Sequence, residues 1–198
     1  MSSSIEPQRR FQQARTWSLL SVVTFIGVVF HERAHEAVCE WTGVKIHKLR
    51  YFRLGTPVGY VWHERPDSYT VHILITIAPL ILNAMIAFTL FSGAIWYYQQ
   101  YGLVPVEWPP PAETILVAGA CWVAVSCALH AFPSKPDVES LWTDTRRRIP
   151  RQLTVLLGIP VVGALYGLSK FEAMWGNVIF TGGVAAGAWH VLGVGPLL

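Results

Sequence analysis

The residues of this chain best suited to chemistry are two histidines one helical turn apart. They lie in the segment His31-Glu32-Arg33-Ala34-His35. Positions i and i+4 of a helix share one face, so both imidazoles can bind one divalent metal ion. Glu32, one step around the helix, is placed to act as general base toward a water at that metal. At the chain's own His and Glu frequencies, about 0.01 such matches are expected by chance, so the segment predicts a metal site.

A catalytic zinc ion takes three protein ligands and keeps a fourth position open for water. We predict one Zn²⁺ per chain with Asp137 as the third ligand, since it is one of only three aspartates and follows an apolar stretch. Two nearby prolines disfavour helix, so we expect a loop that folds back toward the histidines. His130, Glu36 and Glu139 are rival ligands. His130 ranks second: at the end of an apolar helix it could bind the metal, or it could be an interfacial residue or one that orients Asp137. The histidines without ligand-like spacing are expected at the surface or membrane interface: His47, His63, His72 and His190.

The segments that carry these residues have the composition of membrane helices. Of 198 residues, 53% are hydrophobic and 14% charged, and the mean hydropathy is +0.40. A helix needs roughly 20 apolar residues to cross a bilayer. We therefore predict an all-α polytopic membrane protein of about five transmembrane helices: Thr16 to Trp41, Val71 to Tyr98, Ala112 to Phe132, Leu153 to Phe171, and Met174 to Val194.

The segment from Val44 to His63 differs from these helices. Apolar and basic residues are interleaved along it, and Gly55-Thr56-Pro57 marks a turn near its middle. It predicts a small β-hairpin at the membrane edge, directly after the first span.

Asn83 lies within the second predicted span, where an amide in lipid must find a polar partner. It either binds the backbone of a substrate or forms a hydrogen bond between helices. The residues leave both interpretations open.

The distribution of Lys and Arg predicts the orientation of the chain. Ten lie in the hairpin region and the connection from Pro133 to Gln152, whereas four lie on the opposite side: Arg9, Arg10, Arg15 and Lys170. The side richer in Lys and Arg is expected in the cytoplasm, which places the candidate site toward the cytoplasmic side of a multi-pass protein of the cell membrane. The net charge of +3 is small and no basic groove is apparent, so nucleic acid is excluded as a partner.

With these features the sequence resembles a compact member of the site-2 protease family of intramembrane zinc metalloproteases. The resemblance rests on His31-Glu32-x-x-His35 in a first core span and on Asp137 after a later one, and it covers Thr16 to Trp142. It implies that the two histidines and Asp137 bind zinc, that Glu32 activates water, and that the hairpin aligns the substrate strand. The family's Leu-Asp-Gly around the third ligand is replaced here by Pro136-Asp137-Val138.

We therefore expect a zinc metalloendopeptidase that hydrolyses peptide bonds in or near transmembrane segments of membrane protein substrates in the lipid bilayer. Residues 1–198 are expected to form one membrane-embedded domain, with a catalytic core at 16–142, accessory spans at 150–198 and no nucleotide-binding insertion. One alternative is a non-catalytic membrane metal-binding protein or protease-like adaptor. A membrane di-iron oxidase is less favoured, because such enzymes need about eight His ligands and the chain has seven His.

Overall fold

Helices dominate the part of the chain that the structure describes, and one two-stranded hairpin interrupts them there. The computed structural model describes residues 19–55, 57–102, 109–149, 153–171 and 176–193. The predicted start of the first span at Thr16, the basic residues Arg9, Arg10, Arg15 and Arg151, and Met174 lie outside these ranges. The elements are α1 Leu19–Val23, α2 Phe25–Thr42, β1 Ile46–Arg50, β2 Tyr60–His63, α3 Tyr69–Tyr101, α4 Ala112–Leu129, α5 Lys135–Arg148, a 3-10 segment Leu153–Gly158, α6 Ile159–Phe171 and α7 Asn177–Gly193.

The first predicted span is not one continuous helix, because it breaks at Thr24 between α1 and α2. A hydroxyl from α4 enters the break: Ser126 Oγ donates to the Thr24 carbonyl at 2.7 Å and accepts from the Gly27 backbone N–H at 3.0 Å. These bonds supplement the turn bond that remains at the break, from the Gly27 N–H to the Thr24 carbonyl at 3.2 Å. Gly27 is required at this point, since a Cβ would collide with the Ser126 carbonyl. The expected single helix is thus corrected to two helices, α1 and α2, which meet at Thr24 beside Ser126 of α4.

The predicted β-hairpin is confirmed. Its strands β1 and β2 are antiparallel, with Leu49 paired to Val61 and Arg50 to Tyr60, and the register shifts between Ile46 and Lys48. The hairpin connects the end of α2 to the start of α3, so it lies close to the histidine-bearing helix.

Two helices of the described residues, α3 and α4, are long and apolar enough to cross a membrane. The 33 residues of α3 span roughly 50 Å at about 1.5 Å per residue, more than the hydrocarbon thickness. The apolar helices α6 and α7 are shorter, and α2 carries Glu32, Arg33, Glu36 and Glu40 within its 18 residues. The mostly helical class is confirmed, whereas the number of five spans stays a prediction.

Two apolar clusters hold the helices together. In one, Ala87 of α3 and the Cys127-Ala128 pair of α4 pack with Phe30 of α2 and Phe180 of α7. In the other, α5 and α6 meet the start of α3 through Val138, Leu141, Val162 and Leu165. Large apolar side chains remain exposed on α3, α4 and the 3-10 segment, among them Met85 at 63%, Leu116 at 72% and Leu157 at 82%. Exposure on this scale is typical of surfaces that meet lipid or another protein.

The segment around Asp137 is a helix, which corrects the predicted loop. Ser134 is the N-cap of α5 and Pro136 lies in its first turn. A proline there is compatible with a helix because the first turn has no intrahelical partner for its N–H. The prolines therefore mark where α5 begins instead of preventing it.

Candidate metal centre

Three potential metal ligands from α2 and α5 converge on one point. The His31 and His35 Nε2 atoms are 3.2 Å apart, and Asp137 Oδ2 lies 3.4 Å from His35 Nε2 and 4.0 Å from His31 Nε2. Both imidazoles are buried. In the part of the chain that the structure describes, this is the one group of three His, Cys, Asp or Glu residues close enough to share a metal ion.

Backbone carbonyls determine which imidazole nitrogen faces the cluster. His31 Nδ1 lies 2.8 Å from the His130 carbonyl oxygen, and His35 Nδ1 lies 2.9 Å from the Ile75 carbonyl oxygen. A carbonyl can only accept, so each Nδ1 carries the proton and donates it. In the neutral rings both Nε2 atoms then present lone pairs, and these point at each other and at a carboxylate.

A divalent cation fits this donor set. Without a cation the two lone pairs and the carboxylate oxygen repel one another, whereas a shared metal would bind all three. Zn–N distances of about 2.0–2.1 Å in a tetrahedral site place ligand atoms roughly 3.3–3.4 Å apart. The observed separations of 3.2 and 3.4 Å match this spacing, and the third, 4.0 Å, is longer. Three protein ligands are also the number that catalytic zinc sites use.

Asp137 is held at the cluster by its role in starting α5. Its Oδ2 accepts from the Ser134 backbone N–H at 3.1 Å and also from the Ser134 hydroxyl, as in a capping box. Hydrogen bonds donated by a backbone N–H and a hydroxyl favour the charged form of a carboxylate. Asp137 can therefore act as a metal ligand. The spacing Ser134-x-x-Asp137 is a sequence signal for this helix start that the proline-based prediction overlooked.

Glu32 lies beside the cluster, under the hairpin. It is buried, and Gly59, just before β2, approaches it so closely that a Cβ there would be 2.7 Å from Glu32 Cγ and 2.9 Å from Oε1. Among the described residues its carboxylate has no hydrogen-bond partner. The hairpin therefore limits where this side chain can go and leaves its oxygens able to accept a proton.

The rival ligands point elsewhere. Glu36 accepts from Arg33 and from the Tyr51 hydroxyl, and Glu139 forms an ion pair with Lys135 at 3.7 Å. The His130 imidazole bonds through Nε2 to Thr24 Oγ1 at 2.8 Å. His130 contributes to the site through its backbone carbonyl instead, which orients His31 and not Asp137.

Asn83 is fully buried and joins three helical segments around that carbonyl. Its Nδ2 donates to the His130 carbonyl at 2.9 Å and to the Gly27 carbonyl at 3.2 Å. Within the described residues its Oδ1 has no hydrogen-bond partner. One of the two interpretations, a hydrogen bond between helices, is therefore present in the structure, and contact with a substrate stays a prediction.

His72 is a residue whose place the sequence did not predict. It was expected at the surface, but it is only 3% exposed and its Nδ1 lies 2.9 Å from Asp144 Oδ2. The two residues are 72 positions apart, and neither has a spacing that indicates a partner. Only the packing of α5 against α3 brings them together.

Comparisons with protein-family models, with curated proteins and with solved structures find no match to this chain. Its function is therefore inferred from the residues and geometry of the candidate metal centre.

Proposed function

We propose that this chain is a multi-pass membrane zinc metalloendopeptidase that hydrolyses peptide bonds in or near transmembrane segments of membrane protein substrates, as its resemblance to site-2 proteases suggests. One observation carries the proposal: the Nε2 atoms of His31 and His35 and a carboxylate oxygen of Asp137 meet, while both Nδ1 atoms are bound to carbonyls. Such a donor set suits zinc, and the adjacent Glu32 supplies the base that hydrolysis requires.

The proposed membrane placement follows from helix length and charge. In it, α3 and α4 cross the bilayer, and α2 with the residues before it, α6 with the 3-10 segment, and α7 add three further spans. The hairpin and α5 then lie at the cytoplasmic edge, because the ten Lys and Arg of these two regions and their flanks are on one side. The candidate metal centre would lie just inside that edge.

The residues of the site have separable roles in this reaction. His31, His35 and Asp137 would hold the metal ion, and the carbonyls of His130 and Ile75 keep the two imidazoles turned toward it. A zinc ion bound there supplies Lewis-acid activation of a water molecule and of the scissile carbonyl. Glu32 accepts a proton from the attacking water, and as the C–N bond breaks it donates that proton to the leaving amine.

The hairpin suits an extended substrate segment. Amides within a transmembrane helix are hydrogen-bonded and shielded, so the substrate must unwind locally before cleavage. An unwound segment can pair with a strand edge through its backbone. β2 begins next to Glu32, since Gly59, the residue before it, packs against that side chain.

The decisive experiment is Glu32→Gln in the purified full-length protein, with a helical membrane substrate in detergent or liposomes. We expect cleavage to fall by at least about 100-fold, as for loss of a general base, while zinc content stays near one per chain. His35→Ala and Asp137→Ala should lose zinc as well as activity, and a chelator should abolish wild-type cleavage. Full activity of Glu32→Gln would refute the role of this residue.

A non-catalytic adaptor is distinguished by the same measurements. It would bind metal and transmembrane helices but cleave none, and Glu32→Gln would not change substrate capture. Iron in place of zinc, in metal analysis of the wild type, would favour an oxidase instead.

A further inference from the structure

A buried polar cluster beside the candidate metal centre links three parts of the chain. We define the Asp144 cluster as Asp144, His72, Arg148 and Arg65. Asp144 is 2% exposed and its carboxylate accepts from the other three: His72 Nδ1 at 2.9 Å, Arg148 Nε at 2.8 Å, and Arg65. A buried carboxylate needs partners of this kind, so the cluster is stable only when all three chain segments are in place.

Each of these segments also carries one part of the candidate centre. α5 contains Asp144 and, seven residues earlier, Asp137; this spacing is close to two full turns, so both lie on one face. α3 contains His72 and, one turn later, Ile75, whose carbonyl orients His35. Arg65 follows β2, which ends the hairpin that packs on Glu32.

His72 bonds to α5 through both nitrogens of its imidazole. Nδ1 donates to Asp144, and Nε2 lies 3.4 Å from the Ser140 hydroxyl one turn nearer to Asp137. Two contacts at successive turns constrain both the axial position and the rotation of α5 against α3. The apolar contacts of α5, through Val138 and Leu141, stabilise the same packing but impose no direction of their own.

Arg148 extends the cluster to the chain that enters α3. Its Nη1 donates to the Asp67 carbonyl at 2.7 Å and its Nη2 to the Pro66 carbonyl at 2.9 Å. The C-terminal end of α5 is thereby fastened to the connection between β2 and α3. The hairpin, α3 and α5 consequently share one buried anchor.

We propose that the His72–Asp144 pair is a positioning device for the third metal ligand: it sets the placement of α5 against α3 that brings Asp137 to His31 and His35. This inference rests on the proposed function, because it assumes that these three residues bind a metal ion. His72 and Asp144 touch neither metal nor substrate in this role, so they are positioning residues.

The test is a Co²⁺ titration of the full-length apoprotein in detergent, since the visible absorption of Co²⁺ reports coordination as well as affinity. Replacing His72 with Leu should weaken Co²⁺ binding by about tenfold, the lower end of the effect of losing an outer partner of a metal site. The visible band should also lose intensity, because two or more waters would take the place of the lost carboxylate and raise the coordination number. His72→Asn, which retains a donor near the position of Nδ1, should restore most of both signals. The matched control is Glu139→Gln, a half-exposed residue of the same helix whose side chain pairs with Lys135, and it should leave both unchanged.

Three results would overturn the proposal. The first is a folded His72→Leu protein with wild-type affinity and spectrum. If that variant does not fold, the isosteric Asp144→Asn takes its place. The second result is loss of folding in both variants, which would make the pair a general stability element without a specific effect on Asp137. The third is a wild-type protein that binds no Co²⁺, or that binds it equally well after His35→Ala. This third result would refute the proposed function itself, whereas the first two would leave it standing.

Discussion

Gly59→Ala is the substitution that most directly tests whether the hairpin positions the proposed base. The added methyl would lie 2.7 Å from Glu32 Cγ and 2.8 Å from the Tyr51 carbonyl oxygen. Ordinary contacts between such atoms are about 3.4–4 Å, so either Glu32 or the hairpin must retreat by about 0.6–0.7 Å. The backbone at Gly59 does not have a positive φ, so these contacts, and not backbone strain, are what the variant changes.

The expected loss of activity follows from that displacement. A misplacement of about 1 Å at a reacting group costs about 100-fold, so about 0.6 Å should reduce kcat by roughly tenfold. Overpacking should also lower the free energy of unfolding by about 1–3 kcal/mol. Zinc content should not change, because the atoms nearest the added methyl belong to Glu32 and Tyr51 and not to the three proposed ligands. The assay is the cleavage rate of a helical membrane substrate, measured beside zinc content and thermal unfolding.

The matched control lies in the same hairpin. A Cβ on Gly55 would meet only the Arg53 side chain, at 3.7 Å, which is ordinary contact. Gly55→Ala should therefore cleave at the wild-type rate. If Gly59→Ala were as active as Gly55→Ala, the hairpin would not hold Glu32 and the proposed positioning of the base would be wrong.

Two further predictions concern the helix contacts that support the site. Gly27→Ala should separate α2 from α4, since its Cβ would collide with the Ser126 carbonyl. We expect the free energy of unfolding to fall by about 1–3 kcal/mol, measured as a lower melting temperature. The control is Gly119→Ala, whose Cβ meets no atom within 4 Å, and its melting temperature should not change. Asn83→Leu should remove the side-chain donor to the Gly27 carbonyl and one of the two donors to the His130 carbonyl, and we expect the free energy of unfolding to fall by about 1–3 kcal/mol. Zinc affinity should fall as well, and an unaffected affinity would contradict the role of Asn83 in holding the His130 carbonyl toward His31.

The local features of this chain could be predicted because they depend on near neighbours in the sequence. The i and i+4 spacing of His31 and His35 places them on one face of any helix that contains both. Interleaved apolar and basic residues predicted the hairpin, and long apolar runs predicted α3 and α4 nearly to their ends. The pattern Ser134-x-x-Asp137 also predicts the N-terminus of α5, whereas Pro136 taken by itself favours a loop.

Contacts between distant segments could not be predicted, because nothing local specifies them. The break at Thr24 depends on a hydroxyl from α4, and the burial of His72 depends on a carboxylate 72 positions away.

The sequence alone thus determined the residue types, the shared histidine face and the apolar helices, since these follow from covalent spacing and composition. The tertiary structure decided that Asp137 meets the histidines and that carbonyls from α3 and the end of α4 turn both Nε2 atoms toward it. The physical reason is that ligand geometry is a property of packed helices: the direction of an imidazole depends on which carbonyl accepts its other nitrogen, and only the packing brings that carbonyl into place.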